Sequence, residues 1–344
     1  MGVDLAEIIP EEPTTLDALL NKTLAVDAYN TLYQFLAIIR QPDGTPLKDR
    51  AGRVTSHLSG LLYRTANLVE KGLKLAFVFD GKPPELKEME IRRRRVLKEE
   101  AAVRYERAIK EGKMREARTY AQATSRLKDL MVDDSKRLLD ALGVPWIQAP
   151  SEGEAQAAFM AARGDVWGVA SQDHDSLLFG APRMTKNLAI TGRRKLPRRE
   201  AYVEVEPVIV ELAKVLKEFS MTREQLVDVG ILIGTDFNPD GVRGIGPKTA
   251  LRLIREYGNL ETVMSKNPEI KISPDPNSIR RIFLEPKVTR EYSLNWSKPD
   301  EEKIIAFLCR ERDFSEDRVR KALSRMQATT SRQHAKTTLE SYFG

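Results

Sequence analysis

The chain has 344 residues, of which 41% are hydrophobic and 31% charged, and a formal net charge of +6. That apolar share is enough for a packed core and excludes wholesale disorder. The only cysteine, Cys309, excludes an intramolecular disulfide, the scattered His57, His174 and His334 argue against a zinc site, and no apolar run approaches the ~20 residues of a membrane span.

The start of the chain, Met1-Gly2-Val3-Asp4, has no basic stretch or signal core, and Ala6 breaks the myristoylation pattern, so a cytoplasmic location is expected. Residues 1–80 read as helix, strand, helix, helix, strand, with 41–52 as a turn-rich connection. Leu24-Ala25-Val26 runs into Asp27, and 75–79 runs into Asp80. Both runs read as strands buried on both faces of a parallel sheet. Residues 82–130 change character. They carry Arg92 to Arg95, Lys98, Arg104, Arg107, Lys110, Lys113, Arg115 and Arg118, with no apolar stripe wide enough to seat a helix on a core. This stretch reads as an insertion standing off the sheet. Within it, Lys87 and Arg94 share one face if the segment is helical. Cations there suit charge building on a phosphoryl oxygen, although the spacing alone favours a solvated basic face.

The α/β pattern resumes over 131–236. A helix with Leu138, Leu139 and Leu142 ends at Gly143. The run 144–147 leads to Glu152 and Glu154, with Ser151-Glu152-Gly153-Glu154 reading as a capping box. The run 166–170 leads to Asp173 and Asp175, and a basic excursion follows over 193–199. Ile231-Leu232-Ile233, leading to Asp236, is counted as a fifth strand-like end. Residues 220–265 also read as helix, loop, helix, with Gly244-Ile245-Gly246 offering backbone N–H groups to a phosphate and Lys248 adding a cation. A Pro-rich loop covers 267–277, and 279–326 reads as helical with a break near Pro299. From Gln327 the chain is polar until an apolar tip formed by Leu339, Tyr342 and Phe343.

Taken singly, each acid has a plainer reading as a cap or turn residue, and for one acid that reading is favoured. Five strand ends that all choose carboxylate reverse the balance. If those ends lie side by side, seven carboxylates converge, and each like-charged pair at ~4 Å and an effective dielectric of ~20 costs about 4 kcal/mol. Such a cluster makes sense only around cations. Oxygen ligands select hard ions such as Mg²⁺ or Mn²⁺, and paired ions ~4 Å apart are the usual machinery for cutting phosphodiesters. The basic remainder of the chain suits a polyanion held around that site.

At this point the motifs resemble those of flap endonucleases. Asp27-Ala28, Val78-Phe79-Asp80-Gly81-Lys82-Pro83-Pro84, Glu152-Gly153-Glu154-Ala155, Ser171-Gln172-Asp173-His174-Asp175-Ser176-Leu177 and Gly234-Thr235-Asp236 are similar to that family's five acidic motifs. Gly244-Ile245-Gly246-Pro247-Lys248 is similar to its DNA-binding helix-two-turn-helix, and the details look most like archaeal members. The resemblance covers residue 1 to about 330. It implies an α/β, PIN-like nuclease domain with a mixed, largely parallel central sheet flanked by helices. The regions it implies are an N-terminal nuclease region at 1–98, a basic helical arch at 82–130 and an internal nuclease region at 116–258 with the helix-two-turn-helix near 220–265. A C-terminal helical region at 266–327 and a flexible tail at 328–344 complete them.

The resemblance also implies roles. Asp27, Asp80, Glu152 and Glu154 match ligands of one Mg²⁺. Asp173, Asp175 and Asp236 match ligands of a second, with Mn²⁺ as an alternative ion. Lys87 and Arg94 match a catalytic basic pair on the arch. Tyr33, Arg40, Arg64, Glu152, Gly234, Asp236, Gly244, Gly246 and Lys248 match DNA-contacting positions, and the glycine loop matches one that holds K⁺. The implied substrate is branched DNA with a 5′ flap, cut near the junction by endonuclease and 5′–3′ exonuclease action in replication and repair. A sliding clamp (PCNA) is the implied partner of residues 336–344 through Leu339, Tyr342 and Phe343, although Lys336 stands where the family's clamp peptide usually has Gln. A monomer is expected, associated with the nucleoid if the source is archaeal. The rival readings are a general 5′ exonuclease or RNA-directed nuclease on the same scaffold, and a non-catalytic DNA-junction binder or clamp adaptor.

Overall fold

Side-chain size along the two central strands sets the architecture. In strand β2 (Thr23–Asp27), Ala25 faces one way while Leu24 and Val26 face the other. In β3 (Lys74–Phe79), Ala76 and Val78 share the side of Ala25, and Leu75, Phe77 and Phe79 share the side of Leu24. Against the small face packs the Ala-rich helix at Gly153–Ala162, close because both surfaces lack bulk. The large face is filled by the helices at Ala28–Ile38, Ser56–Glu70 and Asp129–Leu142. Two buried clusters, one on each side of the sheet, are the result.

This computed structural model describes residues 2–41, 43–113, 116, 119–120, 127, 129–195 and 202–327. With β1 at Glu12–Pro13, the remaining strands are β4 (Trp146–Gln148), β5 (Gly168–Ala170), β6 (Arg183–Lys186), β7 (Gly192–Lys195), β8 (Tyr202–Val205) and β9 (Val208–Glu211). The main sheet has the order β1-β9-β6-β5-β2-β3-β4, and β7 and β8 form a separate antiparallel ribbon. Pairs β2–β3, β2–β5, β3–β4 and β5–β6 are parallel, whereas β9 runs antiparallel to both β6 and β1. The carboxyl ends of β2, β3, β4 and β5 therefore open on one edge.

The helices are α1 (Ala28–Ile38), α2 (Ser56–Glu70), α3 (Glu88–Lys110), α4 (Asp129–Leu142), α5 (Gly153–Ala162), α6 (Asp175–Leu178), α7 (Leu212–Phe219), α8 (Arg223–Ile233), α9 (Pro247–Tyr257), α10 (Leu260–Lys266), α11 (Pro276–Leu284) and α12 (Glu301–Ile304). A π-helical segment, Ile305–Arg310, continues α12, and a last helix, α13, covers 316–327.

Several expectations need correction. The first element is the short β1 with a 3-10 turn at Asp17–Leu19, not a helix. The run Ile231-Leu232-Ile233 is the last turn of α8, not a strand end; Gly234 stops that helix with φ of 114°. Ser151 does not head a capping box. The N-cap is Glu152, and Ser151 Oγ donates instead to the Lys82 carbonyl at 3.1 Å. Residues 285–300 are not helical; they run across the body, with Trp296 Nε1 donating to the Leu75 carbonyl at 2.8 Å.

The charged insertion is helical over Glu88–Lys110, and that helix does not stand free. Along α3, successive i,i+4 ion pairs such as Arg94–Glu90 at 2.6 Å and Arg95–Glu99 at 3.1 Å offset the missing apolar stripe. Its apolar residues Met89, Val96 and Val103 point to solvent, while Lys87, Arg94, Lys98 and Ala101 face the body. Charge, rather than burial, seats this helix over the carboxyl edge. The tail peptide at Lys336, Leu339, Tyr342 and Phe343 lies outside the described residues, as do Arg115, Arg118 and residues 196–201.

Candidate active site

The parallel strands deliver their acids by register. Asp27 ends β2 and Asp80 follows β3. Glu152 and Glu154 follow β4, with Glu154 on the first turn of α5, and Asp173 and Asp175 follow β5. Asp236 arrives from outside the sheet, on the loop after α8.

Close packing fixes this edge. Gly153 N donates to Asp80 Oδ1 at 2.6 Å, and a Cβ on Gly153 would sit 2.7 Å from that oxygen. Val3 N donates to Asp175 Oδ1 at 2.7 Å, and a Cβ on Gly2 would lie 2.5 Å from the same carboxylate. The N-terminal strap and the α5 entry thus grip acids from two strands.

Several of the partners were not legible in the sequence. Ser171 Oγ and Ser176 Oγ both donate to Glu154 Oε1, at 2.7 and 2.9 Å. Asn30 bonds both Asp27 and Asp173. The nearest signal was position: Asn30 lies three residues after Asp27, and Ser171 lies two before Asp173. The cap reading for Asp27 holds as well, since its Oδ1 accepts from Asn30 N at 3.0 Å.

Two cations, Lys87 at the N-cap of α3 and Arg94 within it, meet the acids. Lys87 Nζ pairs with Glu152 and lies 3.2 Å from Asp236 Oδ2. Arg94 pairs with Glu90 and with Asp236. Burial alone would lower the Lys87 ammonium, but Glu152, Asp236 and Asp80 hold it above its ordinary range. For the acids, burial is the leading cause of upward shifts. It takes Asp27 to about 8, with Asp80 adding, and Asp175 to about 7, with Asp236 adding. Glu154 lies well above the usual range through burial and the charges of Asp27, Asp173 and Asp175. Asp80 and Glu152 are raised by burial as well, against the pull of Lys87.

These shifts come first from burial and then from the mutual repulsion of the clustered acids. An all-oxygen donor set of this kind, buried or half-buried throughout, fits hard divalent cations in chemistry and charge. Among the described residues, no three such side chains are arranged around one point. Lys87 and Arg94 are counterions to Glu152 and Asp236 at this edge.

Tyr33 sits on α1 with Lys98 Nζ 4.5 Å from its ring centroid. Arg40 Nη1 donates to the Gly44 carbonyl at 2.9 Å. Arg64 is turned inward, donating to the carbonyls of Ala189 and Thr191. Gly244 has φ of 84°, which favours glycine, and Gly246 N-caps α9 ahead of Pro247. Open space faces both glycines. Lys248 is exposed and lies 3.5 Å from Glu7. Gly234 lies beside the turn that carries Asp236, where Asn238 Oδ1 accepts from Thr235 N and Oγ1.

Comparison with known proteins agrees with this geometry. The XPG N-terminal domain matches residues 1–101, and the XPG I-region matches residues 143–236. Flap endonuclease 1 of Hyperthermus butylicus is 58% identical over 330 residues, covering 95% of this chain and 94% of its own. That of Staphylothermus marinus is 52% identical over 350 residues, covering both chains in full. The solved structure of flap endonuclease-1 from Methanococcus jannaschii matches with a TM-score of 0.77 and 42% identity, over 96% of this chain and all of that one.

Proposed function

The chain belongs to the flap endonuclease family, and from that premise we propose that it is a structure-specific 5′ nuclease cutting DNA phosphodiesters near the base of a 5′ flap. The observation that carries the reading is the carboxyl edge itself. Acids from four strand ends and one helix end face a helix that brings Lys87 and Arg94 onto them.

Asp27, Asp80, Glu152, Glu154, Asp173, Asp175 and Asp236 would hold two Mg²⁺, or Mn²⁺ in their place. When bound, such ions supply activation of the attacking water and stabilisation of the leaving 3′ oxygen. The protein's own groups do the rest. Lys87 and Arg94, freed when other cations neutralise Glu152 and Asp236, are placed to meet charge growing on a phosphoryl oxygen. Tyr33 offers an aromatic face to a base beside the cut, and Lys98 must leave that face first. The N-terminus of α9 behind Gly244 and Gly246 offers backbone N–H groups to a duplex phosphate without reading sequence, with K⁺ as its companion ion. Arg40 and Lys248 add positive charge on the DNA side. The tail carrying Leu339, Tyr342 and Phe343 is assigned to a sliding clamp, in a cytoplasmic protein that serves replication and repair.

The test is cleavage of matched oligonucleotides with and without Mg²⁺: a 5′ flap, a blunt duplex, a single strand and an RNA flap. Mg²⁺-dependent cutting concentrated at the flap junction is expected. Equal rates on the single strand would remove the structure specificity. Tight junction binding without cutting would leave a binding protein.

A further inference from the structure

Asn30 stands on the first turn of α1, where a cap needs only its backbone N–H. That N–H donates to Asp27 Oδ1 at 3.0 Å. Its side chain has a second task. Asn30 Nδ2 donates to Asp173 Oδ2 at 3.2 Å, across 143 residues of chain. One residue therefore ties acids from the ends of two neighbouring strands, β2 and β5. One turn on, Gln34 Nε2 donates to Asn30 Oδ1 at 2.8 Å. An amide has a donor end and an acceptor end, so this bond sets which end of Asn30 faces Asp173. Gln34 itself lines a cavity of about 20 Å³ with Thr31, Arg64 and Thr65, and its Oε1 is buried without a hydrogen-bond partner among the described residues.

We propose that Asn30, oriented by Gln34, is a positioning residue that holds Asp27 and Asp173 in fixed relation for binding a divalent cation. The proposal rests on the two-metal reading above. Residues that orient ligands without touching a metal typically change affinity by about 10–100-fold when lost.

The test uses the full-length protein without DNA and titrates Mn²⁺ by calorimetry into wild type, Asn30→Leu, Gln34→Met and the double variant. Melting in EDTA is recorded for each. Asn30→Leu should bind Mn²⁺ about tenfold or more weakly. Gln34→Met should lose several-fold, and the double variant should be no worse than Asn30→Leu alone, because Gln34 acts through Asn30. In single-turnover flap cleavage the half-saturating Mn²⁺ should rise in parallel, with the rate recovering at saturating ion. A purely structural role lowers the melting temperature without moving either midpoint. Affinities within twofold of wild type, or losses that add in the double variant, overturn the role of Asn30 while leaving the two-metal reading intact. A wild type that binds no Mn²⁺ overturns that reading and this proposal with it. Gln34→Met, which leaves every acid and its direct partner in place, decides the matter alone if Asn30→Leu folds poorly.

Discussion

Asp27 is both a helix cap and one of seven clustered acids, of which it, Asp175 and Asp236 are buried, and the two roles respond differently to a neutral substitute. Asn caps as well as Asp but carries no charge. Asp27→Asn should therefore keep α1 and relieve the repulsion from Asp80 and Asp173. In EDTA at pH 8 its melting temperature should exceed that of wild type. A folded pKa of about 8 against an ordinary 3.8 means that stability from this group is complete below about 4 and is lost as pH rises through about 8. The advantage of the variant should shrink at pH 6, where wild-type Asp27 is already protonated, and again in Mg²⁺ at pH 8. An advantage equal at both pH values would refute the charge argument. Asp236→Asn should gain nothing of the kind, because Asp236 already meets Lys87 and Arg94. Lys87 itself competes with cations for Glu152. Lys87→Met should tighten Ca²⁺ binding several-fold in calorimetry while slowing single-turnover cleavage by orders of magnitude. Unchanged or weaker Ca²⁺ binding would show that the ammonium is no competitor.

At the scale of elements, the entry of α5 shows how a strand end and a helix start share one requirement. Gly153 begins the helix, donates to Asp80, and leaves no room for a Cβ beside Asp80 Oδ1 or, at 3.3 Å, the Val78 carbonyl. Alanine is a better helix former, so Gly153→Ala should melt within a few degrees of wild type. Cleavage should nonetheless fall tenfold or more, because Asp80 must shift. Intact activity in that variant would mean that the Asp80 position is not critical. The helix α3 makes the complementary case. Its sequence has no face for a core, and its docking depends on ion pairs to an acidic edge built by other elements.

Across the molecule, burial away from the site also sets pH dependence. His57 on α2 is fully buried, and neither ring nitrogen has a hydrogen-bond partner among the described residues. Burial lowers its pKa to about 4, with Arg312 adding. A depressed base contributes stability that is complete above about 6.5 and lost as pH falls through about 4, worth about 3 kcal/mol in all. His57→Leu should flatten the loss of melting temperature between pH 6.5 and 4; an unchanged acid limb would place the titration elsewhere. At the far end of the chain, deleting residues 336–344 should leave basal flap cleavage unchanged and remove stimulation by a sliding clamp. Full stimulation of the truncated protein would put the clamp contact in another region.

The sequence by itself determined what depends on short-range pattern. The apolar runs 24–26 and 75–79 are strands because continuous apolar residues need burial on both faces, and their acids followed directly. The glycine loop before α9 was legible because Gly and Pro punctuate helix starts. Tertiary structure alone decided the rest. Ile231 to Ile233 is as apolar as a strand, and only the packing of α8 against α9 and α11 makes it helix. That Asp236 reaches the acids of β2 to β5, that Lys87 and Arg94 pair with them, and that Asn30 bridges Asp27 and Asp173 depend on contacts between segments remote in the chain. Local periodicity records which face of an element is buried; it carries no information about which distant side chain waits there.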